Sequence, residues 1–129
     1  MASKYSMNDR PSWPRRAIVT AGEPYGNKGL HFGHVGGVFV PADFFARFLR
    51  DRLGRENVIF TSGTDCYGSP IMESYRKLKE NEGYDKSIGE YVESNHSRRA
   101  ATLNNYNISC DIYGGSGLEP AAQIHNEVT

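Results

Sequence analysis

The chain has 129 residues; 15 Lys and Arg balance 15 Asp and Glu for a formal net charge of zero, 38% of the residues are hydrophobic, and two are Cys. That is chain enough for one modest core; it excludes wholesale disorder, and the charge balance excludes the strongly basic signature of a general nucleic-acid binder while leaving room for a local patch. No apolar run approaches the roughly 20 residues that span a bilayer, the polar N-terminus lacks the apolar stretch of a secretory signal, and two cysteines are too few for a disulfide scaffold or a four-cysteine zinc site, so a soluble, cytoplasmic protein is expected.

In chain order, residues 1–15 read as a flexible arm, mildly basic because Lys4, Arg10 and Arg15 face Asp9 alone; an ordered domain is expected over 16–129. Ala17-Ile18-Val19-Thr20-Ala21 is a β-branched run that fits a buried strand. Residues 22–29, dense in Gly, Pro and Asn, break it. Val35, Val38, Phe39, Ala42, Phe45, Ala46 and Leu49 then recur at three- and four-residue steps, the inner face of a helix. Pro41 either kinks this helix or marks where it becomes regular, and Gly54 ends it.

Asn57 to Thr61 reads as a second strand and Ser62 to Gly68 as its loop. Ser69-Pro70 is a helix start, a cap residue followed by proline at the first helical position, and that helix is expected to reach about Glu80. Ser87 and Glu90 form a capping box. The helix it opens would carry Ile88, Tyr91, Val92, Asn95, Arg99 and Leu103 on one side and end near Asn104-Asn105. Ile108 to Tyr113 is a third strand. Glu119-Pro120 opens a last helix with Ala121, Ala122, Ile124 and Val128 inward, and the absence of a stop signal by Thr129 suggests a truncated chain. Strands alternating with helices imply a parallel sheet with crossover helices. Ligands then sit beyond the carboxyl ends of the strands, where the loops after the first two strands lie.

The sharpest local chemistry is His31-Phe32-Gly33-His34. It follows a Gly-rich loop and opens a helix, where free amides and a partial positive charge suit phosphate. Histidines three apart share a helical face and can donate to phosphate oxygens, while Gly33 allows close approach to the backbone. Two other readings stay open. A metal site would need further ligands, for which Asp43 and Cys66 are unconvincing, and the pair could be ordinary surface or capping histidines.

The flanks sharpen this. Residues 21–34, from Ala21-Gly22-Glu23-Pro24-Tyr25 through Asn27-Lys28-Gly29 to His31-Phe32-Gly33-His34, resemble the signature of class I aminoacyl-tRNA synthetases, in which a Pro-Tyr-x-Asn-Gly-like turn leads to the HIGH motif. Residues 36–50 look like the helix after HIGH in methionyl-tRNA synthetases. Phe60 to Ile71, with Gly63-Thr64-Asp65, is similar to that group's Gly-Thr-Asp-Glu-His-Gly stretch, and Asn107-Ile108-Ser109-Cys110-Asp111 to its Asn-Ile-Ser-Tyr-Asp strand. The four ordered blocks cover about residues 16 to 128.

The resemblance implies a Rossmann-like (HUP-type) α/β fold, a parallel sheet flanked by helices, present as its N-terminal half only. It implies activation of an amino acid by ATP with Mg2+, then transfer to tRNA. On the matching positions His31 and His34 would hold the ATP phosphates and act as the catalytic pair. Gly33 would lie beneath the nucleotide, and Asn27 would order the loop. Asp65 would accept the α-ammonium of the substrate, or serve only as a turn-stabilising aspartate. Gly22, Glu23 and Tyr25 would line the amino-acid pocket, no resident metal is expected, and the substrate would be methionine. Glu23 departs from the pattern, since methionyl enzymes place an apolar residue there and an unpaired buried carboxylate is costly. It must face solvent, pair with Lys28 or another cation, or signal a different substrate. Tyr67 and Cys66 also replace the usual His and Glu, which would fit a noncatalytic nucleotide-binding or scaffold paralogue. No KMSKS-like loop, connective-peptide insertion or anticodon domain lies in these residues, so the chain alone is expected to be a poor catalyst. A nucleotidylyltransferase-like module, which also uses a His-x-Gly-His turn, lacks the Pro-Tyr lead and the Gly-Thr-Asp block.

Overall fold

The computed structural model describes residues 13–128. Of the expected basic arm, residues 1–12 lie outside that range. Strand β1 (Ala17–Thr20) is followed by a continuous helical run: α1 (Phe32–His34), a π-helical turn (Val35–Phe39) and α2 (Val40–Leu53). After a 3-10 turn come β2 (Val58–Thr64), α3 (Ser69–Glu82), α4 (Ile88–Asn105), β3 (Ile112–Gly115) and α5 (Ala121–Val128).

The π turn resolves the question posed by Pro41. Proline has no N–H for the carbonyl four residues back, and its ring would strike that carbonyl. Here the Val40 amide donates to the Val35 carbonyl, a five-residue step that widens the turn just before the proline. The run therefore passes Pro41 without a break and is regular from Val40 to Gly54, whose φ of 90° ends it.

The three strands form a parallel sheet in the order β1-β2-β3, with Val19 opposite Phe60 and Thr61 opposite Ile112. Right-handed crossovers that advance in one direction deliver their helices to one face. Val19, Val58 and Phe60 on that face pack against Ala46 and Leu49 of α2, each large side chain contributing about 1.5–3 kcal/mol. Helix α4 reaches the same face further along, where His96 stacks on Tyr113 at 5.1 Å and bonds Thr64. On the opposite face Ile18, Ile59 and Ile112 form a row open to solvent, Ile18 being 71% exposed. The first strand is thus buried on one side only. A β-branched run states that a strand can be covered, not how many layers cover it.

Several boundaries move. The second strand begins one residue later than expected and runs on to Thr64, since Ser62, Gly63 and Thr64 are all buried. The cap of α3 is Gly68, not Ser69. The capping box at Ser87 forms as expected: the Glu90 amide donates to Ser87 Oγ at 3.2 Å and the Ser87 amide to Glu90 Oε2 at 2.9 Å. Phe45 lies outside the inner face, 54% exposed, because α2 turns Asp43, Ala46 and Arg50 inward instead. Ile124 and Val128 of α5 are also exposed, while Ala121 and Ala122 are half-buried.

Strand β3 starts four residues late because a polar clamp holds residues 107–110 outside the ladder, which the Asp111 amide joins through the Phe60 carbonyl at 2.8 Å. Asp43, 8% exposed, accepts the Ser109 amide at 2.7 Å, the Ser109 hydroxyl and Arg47 Nε at 2.8 Å. Arg50 donates to Ser109 Oγ (2.6 Å), the Ser109 carbonyl (3.0 Å) and Asp111 Oδ2 (2.7 Å), and Asp111 in turn accepts the Phe60 amide at 2.8 Å. At Asp43 burial pushes the carboxyl upward, but the bonds from Ser109 and Arg47 outweigh it and hold the group below its ordinary 3.8. At Asp111 burial is likewise outweighed, by the Phe60 amide and Arg50. Carboxyls lowered in the fold stabilise it fully above their unfolded value and lose that contribution as pH falls through the folded one. The contribution of these two carboxyls is therefore expected to be constant above the ordinary carboxylate range and to be lost below about pH 4, while His34 and His96, both held below the ordinary histidine value, begin to cost stability as pH falls through that value. Urea midpoints measured as a function of pH check this; a midpoint unchanged down to about pH 2 would contradict it.

Candidate functional site

Two loops meet at the carboxyl end of the sheet. The Ala21 amide continues the ladder to Thr61, and Ser62 Oγ donates to the Gly22 carbonyl at 3.1 Å. The Asp65 amide then donates to the Pro24 carbonyl (3.1 Å) and the Gly26 amide to the Asp65 carbonyl (2.7 Å), a bridge that laces the loop after β1 to the loop after β2. Gly26 is required for this approach. A Cβ there would stand 3.0 Å from Thr64 Cγ2 and 3.1 Å from Val92 Cγ1.

Helix α4 holds the loop from beneath. Asn95 Nδ2 donates to the Gly26 carbonyl at 3.1 Å and Tyr91 Oη to the Asn27 carbonyl. Arg99, 1% exposed, donates to the carbonyls of Pro24 (2.7 Å), Lys28 (2.8 Å from Nε) and Tyr25. Asn27 reaches across to Ser74 Oγ at 3.3 Å. Sequence reasoning placed Tyr91, Asn95 and Arg99 on the inner side of this helix without giving them a role. Polar side chains within an apolar stripe were the available signal, since buried polar groups need partners.

The histidine pair caps its own helix. His31 is the N-cap residue; its Nδ1 accepts the Gly33 amide at 3.1 Å, while His34 Nδ1 accepts the His31 amide at 3.3 Å. The rings stack with centroids 3.7 Å apart. A ring nitrogen that accepts carries no proton, so in these two bonds Nδ1 is the acceptor and Nε2 is the position left to donate. Burial, then the nearby His31, Arg99 and Lys28, hold His34 below the ordinary histidine value. Gly33 is small for the same reason. A Cβ there would meet the His31 ring at 3.0 Å.

This changes the expected source of donors. The His31 carbonyl takes the amides of His34 and Val35, and its ring takes that of Gly33. The first turn thus spends these main-chain donors internally, and the Nε2–H groups join the donors that a ligand could use. Both histidines line a cavity of about 270 Å³ whose wall also includes Tyr25, Asn27, Lys28 and Arg99. Among the described residues, the Lys28 ammonium has no hydrogen-bond or ion-pair partner. The donor set and its positive charge suit an anion.

Gly22, Glu23 and Asp65 do not line that cavity. Asp65 Oδ1 accepts the Tyr67 amide at 3.0 Å and Ser116 Oγ at 3.5 Å, the turn-stabilising arrangement, while Oδ2 takes no bond among the described residues. Glu23 is exposed and leans over the sheet end, its Oε1 3.1 Å from where a Cβ on Gly63 would stand. It makes no ion pair with Lys28 or any other described cation. Tyr25 packs its ring over Gly68, at 2.9 Å from the position of an added Cβ. Among the described residues, no three His, Cys, Asp or Glu side chains gather as metal ligands.

The family model described as tRNA synthetases class I (M) matches residues 17–129. The methionine–tRNA ligase of Thermococcus onnurineus is 43% identical over 103 residues, 80% of this chain and 13% of that protein. Those of Pyrococcus abyssi and Cytophaga hutchinsonii are 41% identical over 103 residues and 36% identical over 114, covering 80% and 88% of this chain. The chain spans only 13–15% of the length of these relatives.

Proposed function

Because this chain belongs to the class I tRNA synthetases of the methionine type, we propose that residues 16–129 form the N-terminal half of the catalytic domain of a methionine–tRNA ligase. The three-stranded parallel sheet flanked by helices is consistent with the Rossmann-like fold of that family. In the proposed reaction a carboxylate oxygen of the amino acid attacks the α-phosphorus of ATP. The bond to pyrophosphate breaks, and the aminoacyl group then passes from the adenylate to tRNA in the cytoplasm.

The backbone-fixed histidine pair carries this reading. Nδ1 of each ring is fixed by a backbone amide, which holds its Nε2–H in one direction, and both rings line the cavity that Lys28 and Arg99 make positive. Donors fixed in advance stabilise charge developing on phosphoryl oxygens without reorganising. Asn27 orders the loop, and Gly33 gives the His31 ring its place. The unbonded Oδ2 of Asp65 would take the α-ammonium of methionine, with Gly22, Glu23 and Tyr25 around the rest of the amino acid. Mg2+ would supply charge neutralisation and arrive on the nucleotide, because N–H groups and cations suit the phosphates rather than the metal. No helix among the described residues is long and apolar enough to cross a membrane.

The exposed, unpaired Glu23 favours a second reading, a noncatalytic nucleotide-binding paralogue. ATP–pyrophosphate exchange by the full-length protein, run with a panel of amino acids, separates the two. Exchange dependent on methionine is the expected result. ATP binding without exchange for any amino acid would favour the paralogue, and exchange with a different amino acid would make Glu23 a specificity residue.

A further inference from the structure

A guanidinium buried without a carboxylate is unusual, because the cost of desolvating an ion is ordinarily met by an opposite charge. Arg99 is 1% exposed, the most buried large side chain beside Phe39 and Phe60. It forms no ion pair among the described residues. Its bonds go to three carbonyl oxygens within five residues of one loop, Pro24, Tyr25 and Lys28. On α4 it adjoins another cation, Arg98, which Asn95 Oδ1 holds at 2.6 Å and whose guanidinium flanks Gly29 at 3.6 Å from an added Cβ. The same loop ends at His31, and Arg99 itself forms part of the wall of the cavity beside the histidines.

We propose that Arg99 is a positioning residue for the anion site: its guanidinium sets the path of the Pro24–Lys28 loop, and its charge, left without a counterion by the protein, is completed by the phosphate groups of the bound ligand.

The proposal rests on the reading of the histidine cavity as a phosphate site and adds to it a residue outside the signature. Carbonyl oxygens orient a guanidinium but do not cancel its charge. A carboxylate in their place would hold the loop equally well and would neutralise the cavity, so the choice of carbonyls leaves the pocket positive. Arginine suits this role better than lysine, because one rigid fork reaches three acceptors at once. The charged and titratable groups facing His34 are His31 on its own turn, Lys28 from the loop and Arg99 from α4. Removing one of these cations changes the titration of His34 as well as the path of the loop.

The test uses the full-length protein with Arg99→Gln and Arg99→Lys, ATP as the probe, and the His34 imidazole followed by NMR. Arg99→Gln is expected to weaken ATP binding at least about tenfold, with a shallower salt dependence, and to raise the pH at which His34 titrates. Arg99→Lys keeps the charge and loses the fork. It is expected to leave the His34 titration near that of the parent while weakening ATP several-fold, and it stands in for the glutamine variant should that fail to fold. Parental ATP affinity in a folded Arg99→Gln or in Arg99→Lys would overturn the proposal, as would an unmoved His34 titration in Arg99→Gln. A parent protein that binds no ATP would overturn the phosphate reading of the cavity instead, and the His34 titration would still decide whether Arg99 sets the charge there.

Discussion

Replacing His34 with alanine in the full-length protein is expected to lower kcat/KM for ATP–pyrophosphate exchange by about 10²–10³, the effect of deleting one pre-oriented donor to developing charge. The accompanying loss of stability should stay near 1 kcal/mol, because only one capping bond, from the His31 amide, is removed. Two further variants separate the two nitrogens. Asparagine places an acceptor near the position of Nδ1 and none of the Nε2 donor, so stability should be retained and activity lost. Glutamine carries an N–H near the position of Nε2, so part of the activity should survive. The acid limb contributed by His34 should lie below the ordinary histidine range, because burial and then His31, Arg99 and Lys28 disfavour its cation. Equal losses of activity and stability in His34→Ala, measured by exchange kinetics and urea denaturation, would make the histidine a cap and nothing more.

The largest loss of stability is expected from Arg50→Met. The guanidinium ties α2 to the segment entering β3 through Ser109 and Asp111, and its removal leaves a carboxylate that also receives the Phe60 amide with only the longer, exposed contact to Arg55 at 3.6 Å. Breaking a buried pair on one side typically costs 3–5 kcal/mol; the Asp111 side chain is 29% exposed and water recovers part of that, so about 2–3 kcal/mol is expected. Methionine fills similar volume, which keeps the cavity contribution small. The pH dependence offers an independent check. Without Arg50 the Asp111 carboxyl is less depressed in the fold, so the variant has less to lose on acidification, and its stability should converge with that of the parent as pH falls below about 4. A destabilisation that stays constant down to low pH would show that packing, and not charge, holds the clamp together.

The recurrence of α2, the capping box at Ser87 and Glu90, and the parallel α/β order were legible because each depends on spacing along a few turns of chain. His31 and His34 could be singled out for the same reason, since residues three apart share a helical face whatever the rest of the molecule does. The polar residues on the inner side of α4 were visible as a pattern, but their targets were not: Arg99 meets carbonyls 71 to 75 positions earlier in the chain. The late start of β3 escaped for the same reason, because Asp43 and Arg50 act across 59 to 66 positions. The sequence by itself determined the periodic elements, the loop residues at the strand ends and the family to which they belong. Tertiary structure decided which nitrogen of each histidine is spent on the backbone, that Arg99 is buried without a counterion, and that Ile18, Ile59 and Ile112 lie on an open face. Those facts depend on burial and on partners brought together through space, and local spacing carries no record of either.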